Sequence, residues 1–307
     1  MKVGNIPCGI GIPQDLLGRV EAMQATRKFV TRAESLGYDS LWLTESILGK
    51  TNVLEPVSLL SYVAAITEKI RLGVAVMILT QRNPVQLAKS LTTLDFMSNG
   101  RLDAGFGIGG RRQDEIFGYK HEGRVGRFEE AIEVLKSLWT QPEASFSGSY
   151  WNFEGVSVTP KPVQQPHPPI WFGARVPAAL KRAVKYGDGF MGAGSSSIAD
   201  FITQYGLIQQ YLEEAERDPE TFRISKRVYI AIDRDKDRAE KRLTEWFGHY
   251  YGRAEMASRV SIWGSRDECL EKLGLLVQTG AKHLMLNPVF DEMEHMELLA
   301  EEIVPNL

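Results

Sequence analysis

Three glycine-rich stretches hold the residues best suited to chemistry. The first, Gly105-Phe106-Gly107-Ile108-Gly109-Gly110, runs into Arg111-Arg112. Its spacing, Gly105-x-Gly107-x-x-Gly110, matches the dinucleotide fingerprint, which also needs a long helix at the third glycine and an acidic residue ending the next strand. Here a basic, glycine-interrupted loop follows, and Glu129 and Glu130 fall inside a later helix. The pattern therefore favours a cofactor loop at a barrel mouth over a Rossmann turn, with a glycine turn that binds nothing as the other alternative. In the second stretch, Gly173-Ala174-Arg175-Val176-Pro177 opens a helix over 178–186. Free N–H groups at a helix start beside a guanidinium suit a phosphate. The third, Gly192-Ala193-Gly194-Ser195-Ser196-Ser197, also precedes a helix, where its serines equally suit capping. Arg111 and Arg112 either neutralise a phosphate or stand in solvent.

Other chemistries find little support. The five histidines (121, 167, 249, 283 and 295) form no HxH, HExxH or Cys/His cluster, so no metal is expected. His167 lies in a proline connector and His283 starts a strand, which suits a core position. His121 and His249 fall in loops within reach of a barrel mouth. No GxSxG elbow is present, and neither cysteine has a base visible in sequence.

These stretches need elements to position them. Ile70–Leu79 reads as a strand, 84–97 as an amphipathic helix and 101–108 as a second strand, a βαβ crossover in a parallel sheet. Small residues end both strands, so a flat ligand can approach the backbone. Strands are also expected over 6–13, 38–43, 170–173, 189–193, 224–232 and 283–287. Helices fall between them, the first presenting Val20, Met23, Val30, Ala33 and Leu36 and ending at Gly37. Over 145–158 the alternation breaks around a glycine-serine turn, which predicts a β-hairpin excursion. Eight strands with intervening helices and no linker predict one α/β domain over 1–307, a (β/α)₈ TIM barrel with that hairpin inserted.

Composition bounds the setting. The 307 residues are 43% hydrophobic and 24% charged, ordinary for a globular enzyme. Net charge is 36 − 39 = −3, which argues against nucleic acid or an anionic membrane as partner. Two cysteines far apart, no signal-peptide pattern and no long apolar run predict a cytoplasmic protein.

Three blocks of sequence resemble the bacterial luciferase-like family of flavin- and deazaflavin-dependent oxidoreductases. They are Ala33–Trp42, then Arg71–Val76 continuing through Arg82-Asn83-Pro84 to Gly100-Arg101-Leu102 and Gly105–Gly110, then Pro160–Gly173 reaching Asp188-Gly189-Phe190. With Gly280–Pro288 they span nearly the whole chain. The resemblance implies a cofactor, FMN or coenzyme F420, across the carboxyl ends of strands three to six. It implies a non-proline cis peptide at Ala75–Val76 bulging under the ring. It assigns the cofactor tail to Gly107, Ile108, Gly109 and Gly110, and the phosphate to Gly173, Ala174 and Arg175, with Gly192, Ala193 and Gly194 nearby. Many members carry a histidine at the end of strand two; here Thr44, Glu45 and Ser46 stand there. Glu45 is thus the candidate acid/base or substrate-positioning group, with capping or ion pairing as the alternative.

The function implied is an oxidoreductase acting on a small organic substrate, by monooxygenation with reduced FMN or hydride transfer with F420. The overall pattern leans to F420. Trp42, Met77, Ile78 and Leu79, with Arg111 and Arg112, are candidate substrate contacts, and the apolar four serve core packing equally well. A non-catalytic flavin-binding barrel is the alternative, and a metal-dependent barrel hydrolase a third. The family also implies a homodimer, for which Leu59, Leu60 and Val63 offer a candidate face or serve core packing equally well, and leaves room for a separate flavin or F420 reductase.

Overall fold

The structure, a computed structural model, describes residues 6–14, 21–49 and 51–307. Parallel strands and helices alternate: β1 (Cys8–Gly11), α1 (Ala22–Ser35), β2 (Ser40–Leu43), α2 (Pro56–Ile66), β3 (Arg71–Val74), β4 (Met77–Ile78), α3 (Pro84–Met97) and β5 (Leu102–Gly107). After α4 (Arg124–Thr140), the antiparallel pair β6 (Ala144–Ser147) and β7 (Asn152–Val156) forms the expected hairpin. Then follow β8 (Ile170–Phe172), α5 (Pro177–Tyr186), β9 (Gly189–Gly192), α6 (Ile198–Glu214), β10 (Arg223–Ile232) and α7 (Lys236–Tyr251). The chain continues through α8 (Met256–Val260), β11 (Ser261–Gly264), α9 (Arg266–Thr279), β12 (His283–Asn287) and α10 (Glu292–Leu298).

Local chemistry explains several boundaries. Asn83 accepts hydrogen bonds from the N–H groups of Val85 and Gln86, and Pro84 fills the first helical position, so α3 starts where expected. Gly37, at φ +82°, turns the chain out of α1. Capping boxes start α6 (Ser197 with Asp200) and α9 (Ser265 with Glu268).

The sheet closes. Strands pair in the order β12, β1, β2, β3, β5, β8, β9, β10, and β10 pairs back to β12. The long β10 makes this possible: Arg223–Lys226 pair with β9, and Ser225–Tyr229 pair with β12. The eight expected strands form the barrel, with two differences. The third breaks into β3 and β4 at a cis Ala75–Val76 bond, and β4 pairs with β5. A ninth parallel strand, β11, pairs with Tyr229–Ile232 of β10, following the one-turn helix α8. Both elements are too short for hydrophobic periodicity to reveal. Of the residues expected on the first helix, Val20 lies outside the described residues; Val30 and Ala33 are buried.

Most of the core lies between barrel and helices, so each helix buries its inner stripe. This corrects the proposed dimer face: Leu59, Leu60 and Val63 are 3%, 0% and 0% exposed and belong to the core. They form the side of α2 that faces the sheet.

Candidate active site

Alternate residues of each barrel strand face its axis and stack in layers. In the lowest layer, Asp103 accepts hydrogen bonds from Arg71 Nε (2.7 Å) and Trp171 Nε1 (3.0 Å). Beside it the His283 ring lies between two hydroxyls, Nε2 3.0 Å from Ser40 Oγ and Nδ1 2.6 Å from Ser225 Oγ. Above sit Trp42, Trp171, Met191 and Met285, with the two indoles edge to face at 5.6 Å. Gly9 and Gly73 flank Trp42 because a Cβ on either would lie within 2.7 Å of the indole. This layer plugs the barrel and floors the site.

The top layer divides the mouth into halves. On one half stand Ala75, Gly107, Gly173 and Ala193, all small. The break between β3 and β4 turns Val76 over this half. A Cβ on Gly107 would meet Val76 Cγ2 at 2.5 Å, and one on Gly173 would meet Cγ1 at 3.0 Å. Two of the expected cofactor glycines therefore seat the Val76 side chain. Gly109 serves the same segment: at φ +69°, its Cβ would lie 2.5 Å from Ile78 Cγ2. Gly110 is exposed with open space beside it. Ile108 O accepts hydrogen bonds from Thr80 Oγ1 (3.1 Å) and from Arg124. The result is a shallow, small-residue platform that a planar ring can cover.

Anion-binding groups gather at its edge. Arg175 is exposed and donates to Ser195 Oγ, which joins the second and third stretches of the sequence. The start of α5 carries no side-chain cap, so its N–H end is open to an anion. The start of α6 is different, because Ser197 and Asp200 satisfy it. Gly192, Ala193 and Gly194 thus offer loop backbone rather than a free helix end. Beneath that loop Lys226, 2% exposed, donates to Ala193 O and to Ser196 O (2.9 Å). Burial, then the neighbouring Arg227 charge, pushes its ammonium down to about 7.

Glu45 is engaged rather than open. Its fully buried carboxylate accepts hydrogen bonds from Ile78 N–H (2.6 Å) and from Arg82 Nε (3.0 Å) and Nη2, and Arg82 also pairs with Glu55 at 2.9 Å. That network anchors the strand just past the bulge. Among the other expected residues, Met77 is buried in the outer core, while Trp42 faces inward. Arg111 and Arg112 begin a 3₁₀ helix over Arg111–Phe117, and their side chains lie outside those described. His249 is exposed on α7 rather than in a loop, and His121 Nδ1 lies 3.3 Å from Asp114. Burial pushes the Cys8 and Cys269 thiols up to about 12, so neither is nucleophilic near neutral pH. Among the described residues no group of three or more His, Cys, Asp or Glu could hold a metal.

The other half of the mouth joins Trp42, an expected substrate contact, to residues that sequence reasoning missed. A cavity of about 50 Å³ is lined by Gln14, Trp42, Thr44, Arg227, Trp246, Tyr250, Asn287 and Glu292, among others. Gln14 and Thr44 lock together through three hydrogen bonds of 2.7–2.9 Å. The available signal was the charged pair Lys226-Arg227 within a strand that turns apolar from Val228 to Ile232.

A family model described as luciferase-like monooxygenase matches residues 6–283. The chain is 24% identical to the F420-dependent glucose-6-phosphate dehydrogenase of Amycolatopsis mediterranei, over 91% of this chain and 93% of that protein. Among solved structures it is similar to the coenzyme F420-dependent tetrahydromethanopterin reductase of Methanopyrus kandleri, with a TM-score of 0.82, 21% identity and coverage of 98% and 99%. It is likewise similar to the oxygenating constituent of 3,6-diketocamphane monooxygenase from Pseudomonas putida in complex with FMN (TM-score 0.80, 18% identity, 98% of each chain).

Proposed function

The chain belongs to the luciferase-like monooxygenase family and is a flavin- or deazaflavin-dependent oxidoreductase, and from that premise we propose that it uses coenzyme F420 on a small organic substrate. The observation that carries this reading is the platform of Ala75, Gly107, Gly173 and Ala193 around an inward-turned Val76. A flat ring needs such a surface, and a Cβ on either glycine would displace Val76 into it. The preference for F420 over FMN is supported by the F420-dependent relatives that align along nine-tenths of both chains.

When bound, F420 supplies hydride transfer, as reduced FMN would supply oxygen activation; the protein's task is orientation and electrostatics. Val76 and Ala75 would support one ring face. Gly107 through Gly110 would line the tail, and Arg175 with the open start of α5 would hold its phosphate. Lys226 would keep the Gly192–Ser196 loop in shape from below. Glu45 acts in this reading as a positioning residue, since both its oxygens are spent on Ile78 and Arg82.

Two buried free thiols suit a reducing cytoplasm. A homodimer is also proposed, with exposed Ile47, Leu48, Leu54 and Val85 replacing the buried face on α2. A separate reductase would return the cofactor to its starting state. Titrating the purified protein with F420 and with FMN, followed by absorbance and fluorescence, tests the central reading. Tighter binding of F420 is expected. Tighter binding of FMN reverses the preference, and binding of neither overturns the assignment of the mouth.

A further inference from the structure

Arg227 carries a charge at the mouth that no carboxylate among the described residues matches. It lies on β10, half-buried, and donates from Nε (2.8 Å) and Nη2 (2.5 Å) to a single neutral oxygen, Asn287 Oδ1. Its guanidinium carbon stands 4.7 Å from the centre of the Tyr229 ring. Stacking on one face and hydrogen bonding along one edge fix the fork in place. Both flanking backbones give way to this arrangement. A Cβ on Gly11 would lie 2.9 Å from Asn287 Cγ, and one on Gly194 would lie 3.2 Å from Arg227 Cδ. Among the described residues no carboxylate pairs with Arg227; the titratable neighbours acting on it are the phenols of Tyr229, Tyr251 and Tyr250. A partly desolvated guanidinium that lines a cavity and is paired with no carboxylate among the described residues suits an anion.

We propose that Arg227 binds the carboxylate or phosphate of the organic substrate, so that the natural substrate is a small anion rather than a neutral alcohol or hydrocarbon. This rests on the oxidoreductase reading above and adds the substrate class. The cavity of about 50 Å³ has room for several waters' worth of polar group, which suits an anionic head and leaves the body outside it. Trp246 and Tyr250, parallel within 10° and 4.7 Å apart, wall the same cavity and offer apolar surface to that body. The position separates this anion from the cofactor's. The cavity is built from β1, β2, β10, β12 and the helices α7 and α10, whereas Gly107, Gly173 and Arg175 lie on or just after β5 and β8. A substrate held by Arg227 would therefore approach the ring from across the mouth. Glu292 also lines the cavity; burial lifts its carboxyl above the usual range, and the charge of Asp291 adds to that.

The test uses protein without cofactor and reads tryptophan fluorescence, since Trp42 and Trp246 line the cavity. The probes are benzoate, phenyl phosphate, inorganic phosphate and benzyl alcohol, titrated against wild type, Arg227→Met and Arg227→Lys, with circular dichroism melts as the folding control. Saturable binding of benzoate or phenyl phosphate is expected, with little binding of benzyl alcohol. Arg227→Met should weaken it at least tenfold, and Arg227→Lys should fall between because a single ammonium cannot present the fork. The preferred anion distinguishes a carboxylate substrate from a phosphate one. Benzyl alcohol binding as well as benzoate overturns the proposal, as does an Arg227→Met protein that binds anions like wild type. A parallel F420 and FMN titration separates the two readings. Unchanged cofactor affinity in Arg227→Met supports the substrate assignment, and an equal loss of cofactor affinity assigns the guanidinium to the cofactor and overturns it. Failure of wild type to bind either cofactor sinks the oxidoreductase assignment of the mouth, while the anion titration still decides the arginine's role.

Discussion

At the scale of single residues, Glu45 shows why position alone does not make a catalyst. A carboxylate at the end of a barrel strand invites an acid/base role, yet this one accepts from Ile78 N–H and Arg82 and has no exposed surface. Glu45→Gln keeps the shape but weakens the pairing with Arg82. Removing one partner of a buried ion pair costs about 3–5 kcal/mol, and Arg82 keeps Glu55, so a loss near the lower end is expected. The melting temperature and cofactor affinity should fall together, and the pH profile of kcat should keep its shape. A lost limb in that profile with an unchanged melt would instead make Glu45 the proton-transfer group. Lys226 presents the opposite case, since a lysine inside a strand marks a site without showing what the side chain does there. Lys226→Met removes from Ala193 O and Ser196 O a donor that is charged below a pH of about 7. Hydrogen bonds involving a charged group contribute about 1.5–3 kcal/mol each, so a cofactor affinity lowered tenfold or more is expected from the slackened loop. Equal affinity in a calorimetric titration would detach Lys226 from the site.

Among the elements, the break between β3 and β4 matters most. Ile70–Leu79 is apolar apart from Arg71, so its pattern predicts one unbroken strand, and only the family resemblance indicated where it turns. The glycines of β5 carried the complementary signal. Gly105 and Gly107 alternate on one strand face: Gly107, with Gly173, clears the space that Val76 enters, and Gly105 clears the Val74 carbonyl oxygen, which a Cβ there would meet at 1.9 Å. Gly107→Ala would put a Cβ 2.5 Å from Val76 Cγ2. Overpacking of this kind costs about 1–3 kcal/mol, and here Val76 can relieve it by moving toward the mouth. Cofactor affinity should therefore drop more than stability does. Adding Val76→Ala should restore part of the binding, and additive losses in that double-mutant cycle would show that the two side chains do not compete for the same space. The start of α3 was visible because Asn83-Pro84 is a local signal. Arg227 and Asn287 were not visible as a pair, because sixty positions separate them and only the β10–β12 register brings them together.

Over the whole molecule, the two ends of the barrel do different work, and His283 ties the lower end to stability. It is buried, joins β12 to β2 and β10 through Ser40 and Ser225, and sits under the tryptophan layer that floors the site. Burial pushes its imidazole down to about 4, against the pull of Asp39 and Asp103, whereas an unfolded histidine titrates near 6.5. The folded state thus holds the ring neutral where the unfolded state binds a proton. The contribution is fully present above pH ~6.5 and is lost as pH falls toward 4, because the unfolded chain takes up the proton first. A shift of that size corresponds to a loss on the order of 3 kcal/mol across the window. Urea midpoints measured between pH 7 and 4 should therefore fall more steeply for wild type than for His283→Gln, which cannot titrate. The variant should start lower at pH 7, since its amide fits the two serines less well, and the curves should converge in acid. Parallel curves would place the acid sensitivity elsewhere, in the carboxylate pairs of the outer surface, and would remove His283 from the account of how the barrel floor is held.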